Sequence, residues 1–194
     1  MGDLGFWAMA QEHPEHLALV TPDGQEMTAG ELLGRSNQVV HALRGFGLVP
    51  GDVVATLLPN GVEYLELYLA CLQAGWYLVP VNHHLVGPEI GYILSDSGAK
   101  VFVAHERFED AALIAAEEAE IASSTCLVAG EILGFNDDAR PRSNQPPITP
   151  DRPPLGDVMI FTSGKTFKPK GVYRMLSVIF PAGGTLGLVA LLFL

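Results

Sequence analysis

Three of the four lysines in this 194-residue chain lie within six residues of one another, in a segment that is also rich in hydroxyls and glycines. The segment reads Thr-Ser-Gly-Lys-Thr-Phe-Lys-Pro-Lys-Gly-Val over residues 162–172 and follows the apolar run 158–161. Hydroxyls and exposed backbone amides donate hydrogen bonds to phosphate oxygens, glycines allow close approach of the backbone, and lysines supply positive charge. The residue types predict a phosphate-binding loop, while composition alone leaves a surface turn with solvated lysines as an alternative.

A different phosphate-binding motif, the P-loop of nucleoside triphosphatases, is suggested by Gly164, Lys165 and Thr166 but fails on spacing. That motif requires a glycine five residues before Gly164, where this sequence has Met159. Pro169 also disfavours a helix beginning directly after the loop. We therefore reject the P-loop interpretation.

The loop resembles the phosphate loop of the AMP-forming acyl-CoA synthetases, an adenylate-forming superfamily that includes luciferases and the adenylation domains of peptide synthetases. The family motif is Thr-Ser-Gly-Thr-Thr-Gly-x-Pro-Lys-Gly-Val. Residues 162–172 follow it except at Lys165, where threonine is usual, and at Phe167, where glycine is usual. Upstream segments also resemble the family in its order, so that the resemblance extends from Phe6 to Arg174. These segments are 51–54, 59–63, 74–82 and 89–97.

The resemblance implies a two-step reaction that uses ATP, Mg²⁺ and coenzyme A. A carboxylic acid, such as a fatty acid, would attack the α-phosphate to give an acyl-adenylate and pyrophosphate, and the thiol of coenzyme A would then displace AMP. The loop would bind the β- and γ-phosphates. The residues implied to do so are Thr162, Ser163, Gly164, Lys165, Thr166, Lys170 and Gly171. No catalytic residue is expected here, because the family's catalytic lysine comes from a later C-terminal segment.

The resemblance also implies a domain division. Residues 1–174 are expected to be part of an N-terminal AMP-binding domain, an incomplete subdomain of an adenylate-forming enzyme, and residues 175–194 an unmatched hydrophobic tail. The tail has no charged residue and reaches the length of a membrane span, but Pro181 and the pair Gly183–Gly184 weaken that interpretation. We therefore favour a truncated or frame-shifted end over a membrane anchor.

Two functions remain open at this point. The first is the N-terminal part of an acyl-CoA synthetase, expected to be inactive as this chain because the segments for adenine, ribose and the acyl group would follow the loop. The alternative is a noncatalytic α/β remnant or interaction module, which would associate with a protein partner through the exposed side of an incomplete sheet.

Hydrophobic periodicity predicts the elements that would position the loop. Apolar runs of strand length alternate with segments of helical period, a pattern typical of an α/β fold with a mostly parallel sheet flanked by helices. The run 53–58 is apolar on both alternating faces, so we expect a central strand covered on both sides. The predicted strands are 17–21, 53–58, 76–81, 101–104, 125–129 and 158–161.

Capping patterns predict where the helices begin. Thr28 and Glu31 have the spacing of a capping box, and Asn60 and Glu63 repeat it. Pro88 suits a first helical turn. The predicted helix ends are Gly45, Gly75 and Ser97–Gly98.

A further helix, rich in Ala and Glu, is predicted over 107–122, and we expect its acidic face to be solvated.

The segment after the fifth predicted strand breaks the alternation of strands and helices. Six prolines between residues 134 and 154 remove backbone donors and fix φ, so we expect an irregular connector on the surface.

Composition excludes two broad classes of protein. Hydrophobic residues make up 48% of the chain and charged residues 17%, which excludes intrinsic disorder for the bulk of the chain. Eleven Lys plus Arg against 22 Asp plus Glu give a net charge of -11, which disfavours binding to nucleic acids and to anionic membranes. Any site for a polyanion must therefore be local.

Cysteine and histidine usage predicts no additional site. Cys71 and Cys126 have neither metal-ligand spacing nor a disulfide framework, which fits a reducing compartment, and we expect a cytoplasmic protein with Cys71 in its core. His83 and His84 are interpreted as solvated or structural. The remaining histidines are scattered singly, so no metal site is expected. They are His13, His16, His41 and His105.

Overall fold

Ten strands and five α-helices are present in the computed structural model, which describes residues 5–130, 133, 135–137, 146–148, 155–162 and 170–172. The strands are β1 (Leu17–Val20), β2 (Glu26–Thr28), β3 (Val53–Leu57), β4 (Tyr77–Pro80), β5 (Val101–His105), β6 (Cys126–Ala129), β7 (Asn136–Asp137), β8 (Asp157–Val158), β9 (Ile160–Thr162) and β10 (Lys170–Val172). The helices are α1 (Phe6–Glu12), α2 (Ala29–Gly45), α3 (Val62–Ala74), α4 (Gly87–Ser97) and α5 (Glu109–Glu118).

The strands from β3 to β8 form one sheet in the order β7-β6-β5-β3-β4-β8, and every neighbouring pair is parallel. Two further pairs, β1 with β2 and β9 with β10, are antiparallel and separate from it. The predicted class, α/β with a parallel sheet flanked by helices, is confirmed. All five residues of β3 are buried between β4 and β5, which confirms its central position.

The hydrophobic core is divided between the two faces of this sheet by the alternation of side chains along each strand. Val54 packs with the apolar residues of α2 and α3, whereas Val53 and Ala55 pack with those of α4 and α5. The neighbouring strands alternate in the same way, with Leu78 on the first face and Val79 on the second. Each inner strand is therefore covered on both sides, which explains its almost continuous apolar sequence.

Helix α2 begins with the predicted capping box. The backbone N–H of Thr28 donates to Glu31 Oε2 at 2.9 Å, and the N–H of Glu31 donates to Thr28 Oγ1 at 3.3 Å. The second predicted box is wrong. Helix α3 begins at Val62 with Gly61 in the capping position, so Asn60 lies one residue too early for its side chain to cap the first turn.

Glycines end two of the helices as predicted. Gly75 after α3 and Gly98 after α4 adopt left-handed backbone conformations, with φ of 75° and 66°. The helix predicted over 107–122 is too long, because a 3₁₀ turn occupies Glu106–Phe108 and α5 ends at Glu118. Shortly afterwards Glu120 has φ 53°, a conformation that no glycine or asparagine announces in the sequence.

The prediction of an irregular connector over 134–154 is wrong at Asn136–Asp137, which form β7 because they pair with the edge of β6. The described residues 146–148 have no regular secondary structure and lie against α2. Asn37 Nδ2 donates to the carbonyl oxygen of Pro147 at 2.9 Å, and His41 Nε2 lies 2.9 Å from the carbonyl oxygen of Ile148. Most of the connector and the whole tail 175–194 fall outside the described residues. Among those that are described, no helix combines the length and apolar composition needed to cross a bilayer.

Candidate phosphate-binding site

The chain approaches the candidate loop along one outer strand of the six-stranded sheet. β8 pairs with β4, and the N–H of Met159 extends this contact by donating to the carbonyl oxygen of Leu78 at 2.8 Å. The Met159 side chain is buried with the α4 and α5 face of the core. The residues before the loop are therefore anchored by both backbone pairing and packing.

Gly156 allows β8 to lie this close to the end of α3. Its N–H donates to the carbonyl oxygen of Leu72 at 2.8 Å. A Cβ added to Gly156 would overlap the carbonyl oxygens of Trp76 and Cys71. This position therefore requires glycine, because its backbone lies against the backbone of Cys71 and Trp76. Any side chain here would prevent β8 from pairing with β4.

A short antiparallel pair, β9 with β10, closes the loop. Thr162 is the Cα partner of Lys170, Phe161 of Gly171, and Ile160 of Val172. The residues that flank segment 163–169, Thr162 and Lys170, are therefore held side by side. Lys170, which is exposed, lies at the mouth of the loop next to the backbone of Thr162.

Gly171 has a packing role in this strand pair. A Cβ at this position would lie 2.9 Å from two carbons of the Phe161 ring and 3.3 Å from the sulfur of Met159. The absence of a side chain at Gly171 thus lets the Phe161 ring lie against the backbone of β10. Phe161 also packs with the core face that contains Met159.

Three of the seven sequence-predicted site residues fall within the described part of the chain, and the structure brings them together. They are Thr162, described by its backbone, and Lys170 and Gly171. The others lie outside the described residues, as does Phe167. They are Ser163, Gly164, Lys165 and Thr166. Their roles remain predictions.

The segment 51–54, which resembles the family, lies at the opposite end of the sheet from the loop. It leads into the start of β3, and Asp52 Oδ1 forms an ion pair with Nζ of Lys100, which lies just before β5, at 2.7 Å. Asp52 Oδ2 also accepts a hydrogen bond from the N–H of Val49 at 2.8 Å. These contacts give the segment a structural role, and they place Lys100 away from the candidate phosphate site.

Histidine and aromatic rings gather where β4 and β5 end, the edge at which α/β sheets bind ligands. His83 stacks on Phe108 with ring centroids 5.3 Å apart, and His84 lies 4.2 Å from His83. His83 and His84 are exposed, which confirms their interpretation as solvated. His105 Nδ1 accepts the N–H of Arg107 at 3.0 Å, so in the neutral ring the proton is on Nε2.

Both cysteines are free and fully buried, one on each face of the sheet. Burial raises the pKa of the Cys126 thiol to about 11 and raises that of Cys71 well above its ordinary value. The prediction that Cys71 belongs to the core is confirmed. Neither thiol is poised to act as a nucleophile, because the thiolate is the reactive form.

Sequence reasoning missed one cluster of potential metal ligands. The sequence predicts that His13 and His16 are single, unrelated residues, but their rings are stacked with centroids 4.7 Å apart, and Glu15 lies beside both. The signal that could have revealed them is the three-residue spacing of two histidines around a carboxylate.

Comparisons with known proteins agree with this architecture. Residues 6–177 match the family described as AMP-binding enzyme. The chain is 34% identical over 166 residues to the fatty acid–acyl-carrier-protein ligase ScoC of Streptomyces coeruleorubidus, covering 84% of this chain and 30% of the relative. It is 37% identical over 172 residues to a feruloyl-CoA synthase of Amycolatopsis sp, covering 87% of this chain and 32% of the relative.

Solved structures show the same relationship. The anthranilate CoA ligase AuaEII, in complex with anthranoyl-AMP, superposes with a TM-score of 0.76 at 25% identity, over 89% of this chain and 35% of that one. The N-terminal domain of FACL13 from Mycobacterium tuberculosis, with an inhibitor bound, gives a TM-score of 0.71 at 27% identity, over 86% and 42%. The chain spans about a third of the length of the curated relatives it matches.

Proposed function

The chain belongs to the AMP-binding enzyme family, and we propose that it contributes the phosphate-binding part of an ATP-dependent ligase that activates a carboxylic acid as an acyl-adenylate. The observation that carries this proposal is the pairing of Thr162 with Lys170. This pairing closes a loop of hydroxyls, glycines and lysines and holds a cation at its mouth. Residues 1–174 would form part of the AMP-binding domain.

In the proposed first step, a carboxylate oxygen attacks the α-phosphorus of ATP. A new bond forms between that oxygen and the α-phosphorus. The bond between the α-phosphorus and the oxygen that bridges it to the β-phosphorus breaks, and pyrophosphate leaves with its negative charge. Lys170 and the loop hydroxyls would stabilise that charge through charge-assisted hydrogen bonds, and Lys165 would add a second cation. Glycines 164 and 171 would allow the backbone to approach the β- and γ-phosphates.

In the proposed second step, a thiol sulfur attacks the acyl carbon and AMP leaves. Coenzyme A is the thiol we propose, and a fatty acid is the carboxylic acid. We propose a fatty acid because the similar protein ScoC is named as a fatty acid ligase. Aromatic carboxylic acids are the alternative, because the other similar protein is a feruloyl-CoA synthase. The thiol proton passes to a base or to solvent.

Mg²⁺ would fit this site through the substrate. The ion prefers oxygen ligands and binds through one or two carboxylates together with substrate phosphates. At the described mouth of the loop, Thr162 and Lys170 contribute no carboxylate. The substrate's phosphate oxygens and water, and not these residues, would therefore supply the ion's ligands. The ion's chemistry would be to neutralise phosphate charge.

The proposal is tested by measuring the affinity of the full chain for ATP and for pyrophosphate with titration calorimetry. Because a hydrogen bond to a charged group contributes about 1.5 to 3 kcal/mol, Lys170→Ala should weaken binding roughly ten- to a hundredfold. Lys100→Ala is the matched control, since it removes the same charge at the opposite end of the sheet. It should bind polyphosphate as the wild type does.

Equal affinity in the wild type and in Lys170→Ala would reject the assignment of this lysine to a phosphate. An equal loss in both variants would show that only the net charge matters. Circular dichroism of both variants excludes unfolding as the cause of a loss.

A further inference from the structure

A turn between α1 and β1 brings three side chains with metal-binding atoms together on the surface. His13 Nδ1 lies 3.9 Å from Glu15 Oε1, and His16 Nε2 lies 3.8 Å from the same oxygen. The donor atoms of all three residues lie within 4.8 Å of one another. One carboxylate oxygen is thus flanked by two imidazole nitrogens.

Backbone hydrogen bonds hold this turn in place. The N–H of His13 donates to Met9 of α1 at 2.8 Å, and the N–H of His16 donates to the carbonyl oxygen of His13 at 3.1 Å. The first turn of α2 fixes the other side. The N–H of Ala29 donates to the carbonyl oxygen of His16 at 2.7 Å, and the N–H of Gly30 donates to the carbonyl oxygen of Pro14 at 2.9 Å. The two rings therefore start from a fixed backbone.

Close packing reinforces this arrangement. A Cβ on Gly30 would lie 2.8 Å from the Cβ of Pro14, so the turn lies directly on the start of α2. The His13 and His16 rings are nearly parallel, with an interplanar angle of 11°. Each imidazole nitrogen donates its lone pair in the plane of its ring, so the two rings must turn out of this stack to bind one ion, and their exposure leaves room for that rotation.

We propose that His13, Glu15 and His16 form a binding site for a divalent transition metal of the imidazole-preferring class, of which Zn²⁺ is the representative. In a tetrahedral site with bonds of about 2.0 to 2.1 Å, neighbouring ligand atoms are about 3.3 Å apart. The two nitrogen–oxygen distances, 3.9 and 3.8 Å, are longer than this value. Rotation of the exposed side chains would bring the three atoms close enough to bind one ion. Two imidazoles and one carboxylate are a ligand set that Zn²⁺ accepts.

The environment favours a cation that keeps contact with water. The three side chains are 53%, 70% and 57% exposed, so the fourth position is open to solvent and the metal needs no path through the core. The chain's net charge of -11 raises the local concentration of cations. The site is distant in sequence from the phosphate loop and does not depend on the proposed ligase activity.

The test is titration of Zn²⁺ alone into the full chain by calorimetry, without nucleotide, because ATP would compete for the metal. The absorption spectrum of the Co²⁺ form then reports the coordination geometry. We expect one metal ion per chain. The double variant H13A/H16A should lose at least a hundredfold in affinity, and Glu15→Gln about tenfold, because it replaces the charged ligand with a neutral one.

The matched control is H83A/H84A, which removes the same number of histidines from the other adjacent pair of rings. It should bind Zn²⁺ with wild-type affinity. Unchanged binding in H13A/H16A, equal loss in both double variants, or no binding by the wild type would each overturn the proposal. Since all three ligands are exposed, circular dichroism should show that the variants are folded. NMR spectra of the imidazole side chains give a second, independent readout, because Zn²⁺ should shift only the signals of His13 and His16.

Discussion

Gly156 packs directly against the carbonyl oxygen of Trp76, and the space between them admits no side chain. Trp76, the residue before β4, is itself fully buried, so it cannot move aside without disturbing the core. The contact therefore fixes how closely β8 can lie on the sheet.

Replacing Gly156 with alanine should destabilise the fold and displace β8 from β4. Overpacking of a tight site costs about 1 to 3 kcal/mol, and here the obstacle is backbone, which cannot change rotamer. Urea denaturation measures the loss in the free energy of unfolding. Gly45→Ala is the control, because a Cβ there meets nothing within 4 Å at the end of α2, and it should be neutral or slightly stabilising. Equal stability of the two variants would contradict the contact.

The two cysteines should not react with a thiol reagent in the folded protein. At pH 8 a thiol with a pKa of about 11, as at Cys126, is almost entirely protonated, and burial also blocks access to both sulfurs. Release of thionitrobenzoate from Ellman's reagent should reach two equivalents only in denaturant. Rapid reaction of one equivalent in native buffer would show that a thiol is exposed.

Removing the capping box of α2 should cost stability in a pH-dependent way. Thr28→Ala should lower the free energy of unfolding by about 1 kcal/mol at pH 7. Hydrogen bonds from the backbone and side chain of Thr28 hold the pKa of Glu31 below its ordinary value, so this stabilisation is present above the unfolded pKa of about 4.5 and is lost as pH falls through the folded pKa.

Urea titrations at pH 7 and pH 3 measure this difference. The cost of Thr28→Ala should be smaller at pH 3 than at pH 7, because a larger fraction of the Glu31 carboxyl is protonated at the lower pH. Thr125→Ala is the control, because Thr125 Oγ1 donates to a carbonyl oxygen at 3.0 Å and has no carboxylate partner there. The loss of stability caused by Thr125→Ala should be the same at pH 7 and pH 3. If both variants cost less at pH 3, acid acts on the fold as a whole and not on the capping box.

The 194-residue chain alone should not exchange labelled pyrophosphate into ATP at a useful rate. The family resemblance assigns the adenine, ribose and acyl contacts and the catalytic lysine to segments after the loop. Alignment of reactants accounts for about 7 to 11 kcal/mol of barrier lowering and one electrostatic contact for about 3 to 4. The rate should therefore fall at least about a millionfold below that of an intact ligase.

A panel of short- to long-chain fatty acids and aromatic acids, with chain purified free of host ligases, measures this activity. Exchange that requires the carboxylic acid and disappears in Lys170→Ala would mean that the chain supplies more of the site than we infer.

The long elements of the fold could be predicted because their sequences carry a repeating signal. β3 is apolar on both faces because helices cover both sides, and that signal gave its central place. The elements that were not predicted are too short to show a period: α1, β2, β7 and β10 have between two and seven residues. Their formation depends on partners, as β10 depends on β9.

The ends of some helices were predicted wrongly because they depend on local backbone conformation, which the pattern of residue types does not show. Asn60 has the right type and spacing for a cap, but Gly61 takes the capping position. The early end of α5 depends on a left-handed conformation at Glu120, which glutamate rarely adopts. The neighbourhood of His13 and His16 likewise follows from the docking of their turn on α2, a tertiary contact.

The short pairing of β8 with β4 has a consequence for the order of folding. It joins Asp157 to Tyr77, which are far apart in sequence, whereas β3, β4, β5 and β6 are joined by compact crossovers. Contacts of high sequence separation form late, because the intervening chain must be ordered first. During synthesis the inner strands can assemble before residue 157 has emerged. The pairing of β8 with β4 is therefore expected to form late. Because β8 is a two-residue edge strand, its amides should exchange with solvent deuterium sooner than those of β3, β4 and β5.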